Sequence, residues 1–218
     1  MQLAVSEPVR NALGSFTPRA QGSLQASAQL ASVRDAGRRA VKITNPRSGG
    51  DWTTYVTRQP FDANERPVLS WNYRVPEGVG VNLYALVDGK WREVLFTGDP
   101  SNKNFRNRFN QRQGANRNGR PRRQGPALSA VPVEFDRSIT LGKVEGVLAD
   151  DKWHTATVDL AALLKGAGLS TRVESLAFAA PDRDYLRAGI GGNRVGATYW
   201  LGDFAQSKKL GAVAALPK

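Results

Sequence analysis

The strongest constraint on the fold is an Asp-Gly pair between two runs of β-forming residues. Val79–Val87 precedes Asp88-Gly89, and Lys90–Thr97 follows it. Glycine readily adopts the positive φ that a two-residue turn requires, so the pattern predicts a tight antiparallel hairpin. The two runs should therefore be neighbouring strands of one sheet.

Short β-type runs recur along the rest of the chain. Alternation or β-branched and aromatic enrichment predicts further strands at Ser23–Val33, Arg39–Thr44, Trp52–Arg58, Pro67–Val75, Val131–Phe135, Ile139–Val147, Trp153–Val158, Val173–Ala179 and Ala197–Phe204. A short helix, Leu160–Lys165, follows the capping residue Asp159 and ends at Gly166 and Gly168. About ten short strands with frequent turns predict an all-β fold, a two-sheet antiparallel β-sandwich, and not βαβ units.

The length of 218 residues suits one substantial domain. We expect a tail at 1–12, a single β-sandwich domain at 13–206 and a tail at 207–218. Inside the domain, 98–130 has almost nothing to bury, which predicts a long, flexible basic loop insertion. No apolar run is long enough to span a bilayer, and the N-terminus lacks the features of a secretory signal.

The net charge of +12 is concentrated in that insertion. Its cationic residues are candidates for binding an anion, either nucleic acid or acidic polysaccharide: Lys103, Arg106, Arg108, Arg112, Arg117, Arg120, Arg122 and Arg123. The alternative is a solvated, low-complexity loop without a partner. Recognised nucleic-acid motifs, such as zinc fingers, basic zippers and aromatic RNA-binding motifs, are absent.

The chain has no cysteine and a single histidine, His154. Disulfides, thiolate nucleophiles and Cys/His zinc sites are therefore excluded. No predicted strand carries closely spaced carboxylates on one face, as a glycosidase would need. We therefore predict that the protein is not an enzyme. If it were one, glycoside hydrolase would be the class that its residues fit best.

Three stretches resemble a known class when they are taken in order: PVLSWNYRVPEGVGVNLYALVDGKWREVLFTGD, DDKWHTATVDLAALL and DYLRAGIGGNRVGATYWLGDF. They are similar to galactose-binding-like and carbohydrate-binding jelly-roll modules of large exported bacterial proteins. The resemblance implies a jelly roll, a ligand-presenting role and often a structural calcium ion. It also implies an extracellular or periplasmic location, with a cytoplasmic one left open. The Arg-rich insertion departs from the pattern.

Sugar rings present flat C–H faces, which stack on exposed aromatic side chains while polar groups bind the hydroxyls. The aromatic candidates selected as ligand-binding residues are Trp91, Tyr84, Trp71 and Tyr73, and the alternative is that they fill the core. Trp91, just after the hairpin turn, is expected to be partly exposed. Further aromatic candidates are Trp52, Trp153, Tyr199 and Trp200, of which Tyr199 and Trp200 point to opposite faces of their strand.

A glycine-rich loop supplies the polar candidates for the same site: Arg183, Asp184, Arg187 and Asn193. The alternative is a structural loop whose glycines serve turn geometry. For the calcium that the resemblance implies, Asp51 and Asp203 are the candidate ligands. No other cofactor is expected.

Taken together, these features predict a non-catalytic carbohydrate-binding module whose partner is a glycan or polysaccharide. Two alternatives stay open. One is an anion-binding interaction domain that uses the basic insertion, and the other is a structural assembly or spacer domain with no small ligand.

Overall fold

A computed structural model of the chain describes residues 10–11, 14–18, 28–45, 53–98, 139–180, 193 and 195–208. Within these ranges the strands are, in chain order, β1 (Arg10–Asn11), β2 (Gly14–Ser15), β3 (Thr17–Pro18), β4 (Gln29–Asp35), β5 (Arg38–Thr44), β6 (Thr54–Thr57), β7 (Phe61–Asp62), β8 (Val68–Arg74), β9 (Asn82–Val87), β10 (Lys90–Leu95), β11 (Ile139–Lys143), β12 (Trp153–Asp159), β13 (Arg172–Val173), β14 (Ser175–Ala179) and β15 (Thr198–Ser207). The described helix is α1 (Leu160–Gly166).

The protein is an all-β sandwich. One sheet has six strands in the order β11-β10-β9-β14-β6-β3, and the other has five in the order β12-β8-β15-β5-β4. Two short pairs, β1-β2 and β13-β7, lie outside these sheets. The prediction of a two-sheet sandwich with one short helix is confirmed, and the sheets do not close into a barrel.

Local turn chemistry explains the hairpins. Asp88 and Gly89 have φ of 51° and 67°, and they join β9 to β10 in antiparallel pairing. Ala36 and Gly37 likewise have φ of 47° and 78°, and they join β4 to β5. Both turns therefore have two successive residues with positive φ, the geometry that matches the twist of paired strands.

Pairing in the two sheets is antiparallel with one exception among the described strands. β11 pairs with β10 in the parallel direction, from Arg92 opposite Ile139 to Leu95 opposite Lys143. Among the described strands, β11 is thus a parallel edge strand on an otherwise antiparallel sandwich. The long connection between the two strands allows the crossover that parallel neighbours need.

The predicted helix is confirmed, with its cap. The Asp159 side chain accepts a hydrogen bond from the Ala162 backbone N–H, 2.8 Å away, which satisfies one of the free donors of the first turn. Leu160, Ala161 and Leu164 are buried, so α1 packs one face against the sandwich. Gly142 on β11 lies so close to Leu163 that a Cβ there would be 2.7 Å from its Cδ2.

The main core lies between the two sheets and is rich in aromatic rings. Trp71 and Tyr73 reach it from β8, Phe178 from β14 and Phe204 from β15. The rings of Trp71 and Phe204 are stacked, with centroids 5.7 Å apart and planes at 13°. Tyr73 meets Phe96 edge-on at 4.8 Å. Such pairs add about 0.5–1.5 kcal/mol each beyond their area burial.

The part of the chain that the structure describes contains no helix with the length and apolar composition needed to cross a bilayer.

Candidate functional site

Two of the predicted sugar-stacking residues belong to the core. Trp71 and Tyr73 share one face of β8, as the alternation predicts, and each keeps only 1% of its surface exposed. Their face is the one that packs against the opposite sheet, so the rings fill the sandwich. The expectation that they stack on a glycan is wrong for this structure, because a sugar cannot reach them.

Tyr84 and Trp91 lie on the side of the six-stranded sheet that faces away from the main core, where they form a second apolar cluster with Ala177 and Ala179. This cluster is also buried. Trp91 is 7% exposed and Tyr84 is fully covered, so the expected exposure of Trp91 is wrong. The Tyr55 ring contributes to this burial, since it lies against Trp91 with centroids 6.3 Å apart.

A buried carboxylate accompanies this cluster. Glu93 accepts a hydrogen bond from the Asn82 amide at 2.8 Å and has the Tyr84 hydroxyl at 2.7 Å. Its second oxygen accepts from the Thr140 hydroxyl at 3.1 Å, which links β11 to β10. These bonds occupy the polar groups of the cluster and fasten the edge of the six-stranded sheet.

The Asn193 side chain joins its own segment to Gly80 by two hydrogen bonds. Its side-chain oxygen accepts from the Gly80 backbone N–H at 2.9 Å, and its amide donates to the Gly80 carbonyl at 2.8 Å. The Asn45 side chain in turn donates to the Asn193 carbonyl at 3.1 Å. Because the Asn193 amide is buried and used in both directions, the prediction that it binds ligand is wrong.

Several other predicted site residues lie outside the described residues. They are the loop residues Arg183, Asp184 and Arg187, the candidate metal ligand Asp51, and the whole anion-binding set Lys103, Arg106, Arg108, Arg112, Arg117, Arg120, Arg122 and Arg123. The roles assigned to them stay predictions.

Asp203, the other candidate calcium ligand, is exposed at a bulge in β15, where its φ is 46°. Its carboxylate accepts a 2.7 Å hydrogen bond from the Asn72 amide. Among the described residues no group of three or more Asp, Glu, His or Cys side chains could hold a metal ion. A calcium site at Asp203 would need ligands from elsewhere in the chain.

His154 pairs with Asp150 near the start of β12. Its Nε2 lies 2.7 Å from Oδ1 of Asp150, and its ring leans on Tyr73 with centroids 5.6 Å apart. The hydrogen bond with His154 is the main reason that the pKa of Asp150 is held below its usual value. Both side chains are thus engaged with each other at the start of β12.

Partly exposed tryptophans occur on the outer face of the five-stranded sheet, the side away from the core. Strand register aligns four side chains across it: Trp153 is opposite Arg74, Arg74 opposite Trp200, and Trp200 opposite Lys42. Residues paired in this way project from the same face, so we call these four residues the tryptophan rung. The rung crosses four adjacent strands, about 14 Å at normal strand spacing.

Cations and indoles alternate along the rung. The Arg74 guanidinium carbon lies 4.6 Å from the centroid of the Trp200 ring, and the Lys42 ammonium lies 5.9 Å from it. Arg38, from the β4–β5 turn, lies 5.7 Å from the Trp153 centroid. These distances fall within the range of cation–π attraction.

The tip of the β4–β5 hairpin completes this face. Asp35 accepts hydrogen bonds from Arg74 at 2.9 Å and from the Trp153 indole at 2.8 Å. Arg74 also donates to both oxygens of Asp151, at 2.9 and 3.1 Å. The hydrogen bond from Arg74 is the main cause that lowers the pKa of Asp35, and the bond from Trp153 is the second. The pKa of Arg74 is raised, mainly by its hydrogen bonds to Asp151 and, to a smaller extent, to Asp35.

The sequence carried only part of the signal for this face. Trp153 and Trp200 are among the aromatic candidates that the sequence offers. Alternation predicts that Trp200 and Tyr199 lie on opposite faces of their strand, and the structure confirms this: Tyr199 is buried and Trp200 is partly exposed. Arg74, Lys42, Arg38 and Asp35 were missed. Alternation within each strand shows which residues share a face, but the order of the strands is needed to place them side by side.

The sequence matches no protein-family model, and neither curated proteins nor solved structures provide a match. The class that the structure defines is therefore the β-sandwich itself, with a polar, tryptophan-bearing outer face. Membership of the carbohydrate-binding jelly rolls stays a prediction.

Proposed function

We propose that the chain is a non-catalytic carbohydrate-binding domain and that glycan binds across the outer face of the five-stranded sheet. The observation that carries the proposal is the tryptophan rung, in which Trp153 and Trp200 are both partly exposed and flanked by charged side chains. Partly exposed indoles beside hydrogen-bonding groups suit the apolar and polar parts of a sugar respectively.

The other described tryptophans support this location by elimination. Trp71 is in the core and Trp91 is buried against the six-stranded sheet, so neither offers a ring to a ligand. Trp153 and Trp200 also lie two strands apart with Arg74 between them, so the two partly exposed rings are separate contact points on one face. Exported modules are the natural setting for such a domain, and we extend the proposal to that location.

The test is glycan-array screening followed by titration calorimetry with the best neutral or charged glycan. W153A and W200A should each weaken binding by about tenfold, the scale of one lost aromatic contact. W91F, which changes a buried tryptophan of the opposite sheet, is the matched control and should bind as the unaltered chain does. Thermal unfolding of each variant separates a loss of binding from a loss of structure.

Deletion of residues 101–125 separates this proposal from binding through the basic insertion. Glycan binding that survives the deletion supports the outer face as the site. Binding that disappears with the deletion but persists in W153A and W200A contradicts it. Failure of the unaltered chain to bind any glycan favours a structural spacer.

A further inference from the structure

We infer that the ligand of the outer face is an acidic polysaccharide built from uronic acids, whose ring carboxylates pair with Lys42 and Arg38. The inference rests on the proposed function and adds the chemical class of the glycan. Three observations carry it: which cations on this face are already paired, where the unpaired ones lie, and how they repeat.

Arg74 is the paired cation. Asp35 and Asp151 each lie 2.9 Å from its guanidinium, so two carboxylates already match its charge. The remaining carboxylate near the rung, Asp203, accepts the amide of Asn72 at 2.7 Å. The role of Arg74 is therefore to support the Trp200 ring and to hold the hairpin tip, and it is not available as the main contact for an anionic ligand.

Lys42 and Arg38 are different. Within the described part of the chain, no carboxylate lies within salt-bridge distance of either cation, and the cation–π partner of each is an indole. Both contacts, at 5.9 and 5.7 Å, are near the outer limit of cation–π attraction, so an anion can draw these cations away from the rings at small cost. The two cations are thus ready to pair with a ligand.

The two cation–indole pairs suit a repeating anion. Each partly exposed tryptophan has one unpaired cation at nearly the same distance from its ring: Lys42 beside Trp200 and Arg38 beside Trp153. A uronic acid carries its carboxylate directly on the sugar ring. A ring stacked on an indole therefore brings its charge within reach of the neighbouring cation, and a polyuronate supplies one such charge for each sugar.

The experiment compares two polymers with the same backbone, polygalacturonate and its fully methyl-esterified form, by titration calorimetry with the full chain. K42Q and R38Q should each weaken binding of the acid about three- to fivefold, the range of ion pairs at exposed sites, and leave binding of the ester unchanged. K90Q removes the same charge from the exposed β9–β10 turn of the other sheet and is the matched control. It should bind both polymers as the unaltered chain does.

Because every variant retains the basic insertion, non-specific attraction cancels in the comparison with K90Q. Equal affinity for acid and ester, with W200A weakening both, overturns the inference and leaves the proposed function intact. Absence of binding to either polymer overturns the inference, and the proposed function fails as well only if no glycan on the array binds. Equal losses in K42Q and K90Q show a general charge effect and also overturn it. Tighter binding of poly(dT), dependent on Trp200 and Lys42, assigns the face to nucleic acid instead.

Discussion

The indole Nε1 of Trp153 donates a 2.8 Å hydrogen bond to Oδ2 of Asp35, and these two residues belong to the opposite edge strands of one sheet. Edge strands of a flat five-stranded sheet are about 19 Å apart. The bond therefore requires the tip of the β4–β5 hairpin to cross over the outer face. Pairing of β15 with β5 ends at Leu201 opposite Val41, just before the bulge at Gly202, which is where the hairpin departs.

The hydrogen bonds of Asp35 should make the stability difference between D35N and the unaltered chain depend on pH. Arg74, and then Trp153, hold the pKa of Asp35 below its ordinary value of 3.8 in the folded protein. A lowered folded-state pKa stabilises the fold above the unfolded pKa, and that stabilisation is lost as pH falls through the lower, folded value. We expect D35N to lower the free energy of unfolding by about 1 kcal/mol at pH 7.

Urea unfolding of D35N and the unaltered chain between pH 2 and 7 checks this. The difference in unfolding free energy should shrink toward zero at the acid end, although both proteins weaken there because the pKa values of Asp62 and Asp150 are also lowered. D88N, at an exposed turn, is the control and should show no such difference. If the difference in unfolding free energy stays constant between pH 2 and 7, the Asp35 carboxylate does not stabilise the fold through these hydrogen bonds.

The crossing of the hairpin also predicts the effect of G202A. A Cβ at Gly202 would lie 2.9 Å from the backbone oxygen of Arg39, an atom that cannot move without shifting the hairpin. We expect a loss of about 1–3 kcal/mol, the usual cost of overpacking. G166A is the matched control: it has open space around the added methyl group in the last turn of α1, and it should stabilise by about 0.5–1 kcal/mol.

Thermal unfolding of the two glycine variants measures this contrast. The G202A variant should also lose part of its glycan binding, because the hairpin tip supplies Arg38 and Asp35 to the outer face. Unchanged stability in G202A would mean that the hairpin is not held down on β15.

Elements set by neighbouring residues could be predicted from the sequence. The Asp88-Gly89 hairpin and the Asp159 helix cap depend on residues a few positions apart, and the structure has both. The strand pair Phe61–Asp62 with Arg172–Val173 was missed, because two residues are too few to show alternation.

The site could not be predicted in the same way. Trp71 and Trp200 are both aromatic residues in alternating strands, yet one fills the core and the other is partly exposed. What decides between them is whether the opposite sheet covers the face, and that depends on pairing between distant segments. Asn193 shows the same limit, since its partner Gly80 is 113 residues away.

The hydrogen bonds of the buried Glu93 carboxylate with Asn82, Tyr84 and Thr140 predict different stability losses for E93A and E93Q. E93A removes the acceptor of the Asn82 amide inside the protein, and we expect a loss of about 2–3 kcal/mol. E93Q retains a carbonyl oxygen for Asn82, while its amide can donate to the Thr140 hydroxyl, so it should cost about 1 kcal/mol or less. Denaturant unfolding compares the two variants, and T140A, which removes only the bond at the exposed end of the network, should cost less than E93A. Equal losses in both variants would show that packing, and not the hydrogen bonds, governs this position.

The paired hydrogen bonds between Asn193 and Gly80 predict a pH dependence for the stability of N193D. Here the variant carboxyl group should have a raised pKa, whereas that of Asp35 is lowered. N193D keeps the acceptor for the Gly80 N–H but sets a carboxylate oxygen against the Gly80 carbonyl, where the amide donated before. Repulsion and burial should raise the folded-state pKa of the introduced carboxyl above its unfolded value near 4. The variant should be less stable than the unaltered chain by about 2–3 kcal/mol at pH 7.

Protonation restores a donor at this position, so the stability deficit of N193D should narrow as pH falls through the raised pKa. N193A lacks both groups, and its deficit should stay independent of pH because nothing there titrates. Urea unfolding at pH 7 and pH 4 distinguishes the two. If the two variants keep the same stability deficit at both pH values, the Asn193 amide does not hold Gly80 in solution.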